Sequence, residues 1–428
     1  MIDLKTIKKV HFVGIGGIGV SAIARMFQAE GKTVSGSDRG ATLVTDELEK
    51  LGVQIFTDQV ADNVPADADL IVYSIAVPKD NPERAKGREL GIPELSYPQV
   101  LGLVSRDKFT IAISGTHGKT TTTAMIAKIF IEAGLEPTVI VGSFLKDHQS
   151  NFIAGDSKYL IVEACEYQRS FLNLSPNILV ITNIEEDHLD YYKDLEDIKN
   201  AFRELAQKVV NGGFVVANLN DLNVKDTLKN VKLELVDYTT ALTNFELKVP
   251  GAHNRLNAQA ARKVAEAVGI PDEVIYRALG SFSGTWRRFD YVGQTPTGAL
   301  VYDDYAHHPS EIQATLAGAR EKWSNKKIIV IFQPHLYSRT KLLLNEFAFS
   351  FKEADQIFIL PIYAAREVFD PSIDHKILAQ EIKKNHSQVE AVENFDQVVE
   401  RVLAVTGPED VIMTVGAGDI AGLGKRLV

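Results

Sequence analysis

The 428-residue sequence is poor in sulfur and in large indole rings, with one cysteine, Cys165, two tryptophans and four methionines. A single thiol excludes an intrachain disulfide and a thiolate zinc cluster. No apolar run approaches the roughly 20 residues needed to span a bilayer. A basic excess is also missing: 46 Lys and Arg stand against 56 Asp and Glu, a formal charge of −10. That argues against nucleic-acid or anionic-membrane partners, which need a basic face, and leaves local basic pockets for small anions open. There is no low-complexity tract and no solenoid-period repeat. The residues from Met1 to Thr6 lead into an amphipathic pattern without a signal-peptide core, so the expected setting is cytoplasmic.

What is present is an alternation of short apolar runs with longer helical stretches, the pattern of parallel α/β layers. Val10–Val13 reads as a buried strand. Val20, Ile23, Ala24 and Phe27 then fall on one helix face, Gly31 ends that helix, and Thr33–Ser37 begins the next strand. Further strands are expected at 70–73, 110–113, 139–141, 160–162, 178–181, 214–217, 299–302, 328–332, 357–360 and 411–415. Breaks at Pro93–Arg106, which reads as irregular and polar, and at Gly293–Gly298 suggest three α/β domains spanning 1–106, 107–293 and 294–428.

Gly14-Ile15-Gly16-Gly17-Ile18-Gly19 follows a strand and opens a helix. Glycines allow a tight turn and a close backbone approach to a pyrophosphate, which is then held by helix N-terminal amides. Asp38, after the second strand, lies where a carboxylate could accept from a ribose. NAD and a UDP-sugar satisfy the same physics, and a ligand-free βα turn is the plain alternative.

The strand at 109–114 runs into Gly115-Thr116-His117-Gly118-Lys119-Thr120-Thr121 and then a helix. A lysine between glycine and threonine at a strand-to-helix junction suits nucleoside triphosphate binding. Backbone amides cradle phosphate oxygens, Lys119 reaches the β/γ-phosphates and the Thr120 hydroxyl faces Mg²⁺. The glycine expected five positions before Gly118 is Ile113 here, so the loop is a shortened variant. Glu163 ends a strand and His188 follows another. In parallel sheets such ends face the ligand crevice, so the two could converge on a divalent ion beside the loop. Alone, Glu163 reads equally as a solvated strand end, and His188 reads more readily as a surface or capping histidine. Cys165 reads as a small buried filler rather than a nucleophile.

GIGGIG, GTHGKTTTT, VEACE, TNIEEDHLDYY, GAHNRLNAQAA, GTWRRFD, DDYAHHPSEI, FQPHLYSRT and VGAGDI occur in this order along nearly the whole chain. In this the sequence resembles the Mur ligases, and among them the branch that adds L-alanine. The resemblance implies an N-terminal Rossmann-like domain, a central phosphate-loop ATP-binding domain and a C-terminal Rossmann-like domain. It implies an ATP- and Mg²⁺-dependent ligation of UDP-N-acetylmuramate to L-alanine in peptidoglycan precursor synthesis, by a monomer or weak homodimer. It also reassigns the first glycine turn to a UDP diphosphate, with Gly14, Gly16, Gly17, Ile18, Gly19, Asp38 and Ser74 as the expected contacts.

Carried over residue by residue, the resemblance implies ATP contacts from Gly115, Thr116, His117, Gly118, Lys119, Thr120, Thr121, His253, Asn257, Arg288 and Asp304. It implies metal ligation by Thr120, Glu163 and His188. Lys119, His188, Arg288, His307 and Arg339 are expected at the reacting centre, with Tyr305 nearby and His307 as the candidate base for the amine. Three positions depart from the family pattern: Leu336 stands where arginine is common, Arg366 where glycine is expected, and the acidic stretch reads Glu163-Ala164-Cys165-Glu166-Tyr167. Residues 200–203 also lack the lysine that several sister ligases carry. The rival readings are a murein tripeptide ligase using the same sugar nucleotide, a nicotinamide-dependent dehydrogenase suggested by GIGGIG alone, and a non-catalytic nucleotide-binding scaffold.

Overall fold

A computed structural model describes all residues except 1, 241 and 366, so the departure at Arg366 lies outside the described residues. The chain divides into two compact units, Met1–Thr243 with Asn257–Leu279, and Asn244–Leu256 with Gly280–Val428. The first unit holds two sheets and the second holds one.

The first sheet comprises β1 (Lys9–Val13), β2 (Thr33–Ser37), β3 (Gln54–Phe56), β4 (Leu70–Tyr73) and β5 (Glu94–Ser96). Its order is β3-β2-β1-β4-β5 and every pairing is parallel. The second comprises β6 (Phe109–Ser114), β7 (Thr138–Leu145), β8 (Ser150–Ile153), β9 (Tyr159–Glu163), β10 (Ile178–Ile181), β11 (Phe214–Ala217) and β12 (Glu234–Asp237). Its order is β12-β11-β10-β6-β9-β7-β8, with only the β7–β8 pair antiparallel. The third comprises β13 (Asp290–Gln294), β14 (Leu300–Asp304), β15 (Lys327–Phe332), β16 (Gln356–Ile359), β17 (Val389–Ala391) and β18 (Asp410–Val415). It runs β13-β14-β18-β15-β16-β17, with β13 antiparallel to β14. The α/β class and three-part architecture are those expected, and every strand read from the sequence is present.

The central strands are apolar almost without interruption because helices cover both faces of a parallel sheet. Ile111, Ala112 and Ile113 on β6, and Ile178–Ile181 on β10, are fully or almost fully buried. Two expectations change. Pro93–Arg106 is not irregular: it holds β5 and the helix Tyr97–Arg106, whose start is fixed by Gln99 Oε1 accepting from the Ser96 amide at 2.8 Å and by Pro98 in the first turn. Gly293 lies inside β13, so Gly293–Gly298 is mostly the turn of a β13–β14 hairpin and not a break between domains.

Within the first unit the two sheets are locked together. Asn151 on β8, fully buried, donates to Ile18 O at 2.6 Å and Ser21 Oγ at 2.9 Å in the first turn of the helix Ile18–Ala29. Gly102 faces the backbone beyond β9, and a Cβ there would lie 2.5 Å from Asn173 O. That atom is main chain and cannot rotate away. Gly102→Ala is therefore expected to destabilise the protein by about 1–3 kcal/mol, read as a lowered midpoint in urea unfolding.

Candidate functional site

The second sheet reverses its strand order around β6, and the loop after β6 sits at that point. This is where open α/β sheets form a ligand crevice. Gly115 has φ +135° and Gly118 has φ +82°, both in backbone space that favours glycine. Gly118 is the N-cap of the helix Lys119–Glu132. The loop is braced from β10: Thr182 Oγ1 donates to His117 O at 2.6 Å, and Asn183 both accepts from the His117 amide at 2.9 Å and donates to its carbonyl at 3.1 Å. A Cβ on Gly115 would overlap the Thr182 hydroxyl, and one on Gly118 would lie 2.6 Å from Asn257 Oδ1. Asn257 thus lies against the loop.

Lys119 Nζ donates to Gly115 O at 2.5 Å and Thr116 O at 2.9 Å, and lies 3.0 Å and 2.9 Å from the two carboxylate oxygens of buried Glu166. Burial works against this charge, but Glu166 foremost, then Cys165 and Glu163, push the lysine pKa up. For Glu166 burial again opposes ionisation, and Lys119 and His188 overcome it and push its pKa down. The pair is therefore ionised. Tyr192 OH donates to Glu166 O at 2.5 Å and fixes its backbone. Sequence reasoning gave Glu166 no role. Its only sign was a second acidic residue three positions after Glu163.

Glu163, at the end of β9, accepts from Thr120 Oγ1 at 2.9 Å and from the Gly142 amide at 2.9 Å. His188 Nε2 lies 3.5 Å from Glu166 Oε1 and 3.7 Å from Asp187 Oδ2. Its backbone is left-handed, φ +53°, and its carbonyl accepts from the amides of Tyr191 and Tyr192, both at 2.9 Å. Lys119, Thr120, Glu163 and His188 therefore surround one crevice, with Glu166 between the lysine and the histidine. The sequence did not anticipate that His188 faces Glu166. Cys165 is half-buried and its thiol is pushed up to about 12, by burial first and then by Glu166. It carries no nucleophilic character.

In the first sheet the strand order reverses between β1 and β4, and Gly14 and Ser74 follow those strands. A Cβ on Gly14 would lie 3.0 Å from Ser74 Cβ. The amides of Gly14 and Ile15 both donate to Ser37 O at 2.9 Å. Asp38 accepts from the Gly16 amide at 2.7 Å and from the Arg39 amide at 2.7 Å, so its carboxylate shapes the turn directly. Gly17 caps the helix that carries Ile18 and Gly19.

The second unit has its own polar cluster at the carboxyl ends of β14 and β15. Asp304 is buried, accepts from the amides of Phe289 and Ala306 at 2.8 Å each, and is pushed up to about 6 by burial against the pull of Arg288. Arg288 lies 3.3 Å from Glu311 Oε1, and its guanidinium carbon is 5.2 Å from the Tyr305 ring centre. His307 Nδ1 is 3.0 Å from Tyr305 O and 3.3 Å from Glu311 Oε2. Arg339 Nη1 lies 3.2 Å from His335 Nδ1, and the His335 ring is 5.9 Å from that of His307. Leu336 is buried with φ +72° and its side chain offers no polar group, while Arg339 follows in the next helical turn.

His253 lies in the same unit, and its imidazole is pushed down to about 4 from 6.5 by burial and then by Arg288. The unfolded chain binds its proton near pH 6.5 and the folded chain only near 4, so this group's contribution to stability is lost as pH falls through that window. Urea unfolding at pH 7 and pH 4.5 is expected to show a smaller loss on acidification for His253→Gln than for the unaltered chain.

Three family profiles cover the chain in sequence: Mur ligase family, catalytic domain, over residues 9–109; Mur ligase middle domain over 113–248; and Mur ligase, glutamate ligase domain, over 287–418. The chain is 41% identical to UDP-N-acetylmuramate–L-alanine ligase of Acetivibrio thermocellus, over 100% of this chain and 97% of that protein. It is 40% identical to the enzyme of the same name from Caldanaerobacter subterraneus, over 100% and 98%. The crystal structure of UDP-N-acetylmuramate-alanine ligase from Thermotoga maritima superposes with a TM-score of 0.83 at 31% identity, covering 98% of both chains. A murein peptide ligase from Psychrobacter arcticus shares the fold with a TM-score of 0.71 at 23% identity, covering 98% of both chains. Three ordered domain matches and full-length relatives at this identity show that the chain belongs to the Mur ligase family.

Proposed function

We propose that this chain is an ATP-dependent ligase that joins the lactyl carboxylate of UDP-N-acetylmuramate to the amine of L-alanine through an acyl phosphate, in peptidoglycan precursor synthesis. The observation that carries the chemistry is the buried, ionised Lys119 at the phosphate loop, with Thr120, Glu163 and His188 around it. The choice of alanine rests on the full-length relatives that carry that activity in their names. The tripeptide-adding alternative is supported by structural likenesses at 23% and 26% identity, well below those full-length relatives. A nicotinamide enzyme would leave this loop unexplained.

A carboxylate is a poor electrophile, so it attacks the γ-phosphorus of ATP and ADP leaves. Catalysis of this step is mainly positioning and charge neutralisation. In this reading, loop amides and Lys119 hold the phosphoryl oxygens, and Asn257 with His253 and Asp304 lies on the nucleoside side. Arg288 offsets charge on the transferring group. Thr120 and Glu163, 2.9 Å apart, and His188 provide the oxygen and nitrogen donors that suit Mg²⁺, which would neutralise phosphate charge when bound there. The neutral amine then attacks the acyl carbon and phosphate departs. His307 suits the proton acceptor: its Nδ1 faces the Tyr305 carbonyl, a pure acceptor, so Nδ1 carries hydrogen and Nε2 is the basic nitrogen. Arg339 orients the amino-acid carboxylate. The glycine turn, with Asp38 and Ser74, carries the UDP diphosphate. A first domain over 1–106 and a cytoplasmic setting belong to the same reading, whereas a boundary at 293/294 would cut through β13. Among the described residues no helix is long and apolar enough to cross a membrane.

Purified protein given UDP-N-acetylmuramate, ATP and Mg²⁺ is expected to release phosphate on addition of L-alanine. Release with murein tripeptide alone would overturn the assignment. Lys119→Ala is expected to lower turnover on the order of a thousandfold while the thermal transition stays sharp. Retained turnover would contradict the mechanism.

A further inference from the structure

The helix Tyr97–Arg106 brings an aromatic ring against the glycine turn. A Cβ on Gly19 would meet Tyr97 Cε2 at 2.7 Å and Cζ at 3.0 Å, so the ring lies directly on the backbone of the first helical turn. That first turn is also tied to the second sheet through Asn151 on β8. β8 pairs with β7, and the Gly142 amide of β7 donates to Glu163 at 2.9 Å. Tyr97 therefore stands where the first sheet's anion turn adjoins the strands that carry Glu163.

The ring is half-buried, and among the described residues its hydroxyl makes no hydrogen bond. Burial above all, with the nearby Glu163 carboxylate adding to it, pushes the phenol pKa up, so the hydroxyl keeps its proton and acts as a donor. A sugar nucleotide with its diphosphate on the glycine turn must deliver its carboxylate to the crevice of Lys119 and Glu163. An incoming carboxylate is repelled by Glu163, and a donor placed on that path offsets the repulsion.

We infer that the Tyr97 hydroxyl donates a hydrogen bond to the acid-bearing end of the sugar nucleotide and selects substrates that carry the lactyl carboxylate. The inference rests on the proposed function above. Calorimetric titration without ATP tests it, using UDP-N-acetylmuramate and UDP-N-acetylglucosamine, which lacks the lactyl acid, against the unaltered protein and Tyr97→Phe. The substitution keeps the ring on Gly19 and removes only the hydroxyl. Tyr97→Phe is expected to lose about tenfold or more in affinity for the acid-bearing nucleotide and little for the other, with the KM for ATP unchanged. Equal weakening toward both nucleotides, or an unchanged preference, would overturn the inference. Failure of the unaltered protein to bind UDP-N-acetylmuramate would instead overturn the functional reading beneath it, and the inference with it.

Discussion

The buried ion pair between Lys119 and Glu166 is the constraint around which the site is arranged. A cation taken out of water is costly unless opposite charge and acceptors surround it. Here the acceptors are Glu166 and the carbonyls of Gly115 and Thr116. The same contacts curl the loop around the lysine at the N-terminus of the helix that follows. Gly115 and Gly118 have to be glycine for this path, since Thr182 and Asn257 occupy the space that side chains would need. In the proposed function a triphosphate would replace the two carbonyls as partner of the ammonium group, with Glu166 keeping the charge in place. His188 on the far side of Glu166 ties the TNIEEDH segment to the same carboxylate.

Topology explains why the chemistry lies at strand ends. Gly14 and Ser74 follow neighbouring strands where the first sheet reverses its order, and Gly115, Glu163 and Thr182 end or follow three adjacent strands of the second. The third sheet repeats the arrangement with Asp304 ending β14 and His335 following β15. Parallel strands place their carboxyl ends together, so residues distant in sequence meet without long connections. Each of the three sheets carries one polar cluster at these strand ends.

Much of this was legible in the sequence, and the parts that were not share a cause. The strands read from apolar runs are the interior strands of the three sheets, where burial on both faces removes polar residues. The strands that were missed, β3, β5, β8, β12, β13 and β17, are the sheet edges. Gln54-Ile55-Phe56 and Val389-Glu390-Ala391 are short and partly solvated, as edges tend to be, and leave little pattern to read. Glycines, Lys119 and Thr120 stand out in the sequence because the strand–loop–helix pattern around them is local. Glu166 and Asn183 were not, because their roles depend on which strands flank β6, a long-range pairing. Tyr97 was hidden for the same reason, since its partner Gly19 is 78 residues away in the first domain.

The central claim is that Glu166 holds Lys119 charged at the loop so that a triphosphate can take over its carbonyl contacts. A crystal structure with a non-hydrolysable ATP analogue tests this most directly. The account predicts Lys119 Nζ on the terminal phosphate oxygens, released from Gly115 O and Thr116 O and still held by Glu166. A triphosphate bound elsewhere, with Lys119 keeping both carbonyl contacts, would contradict it.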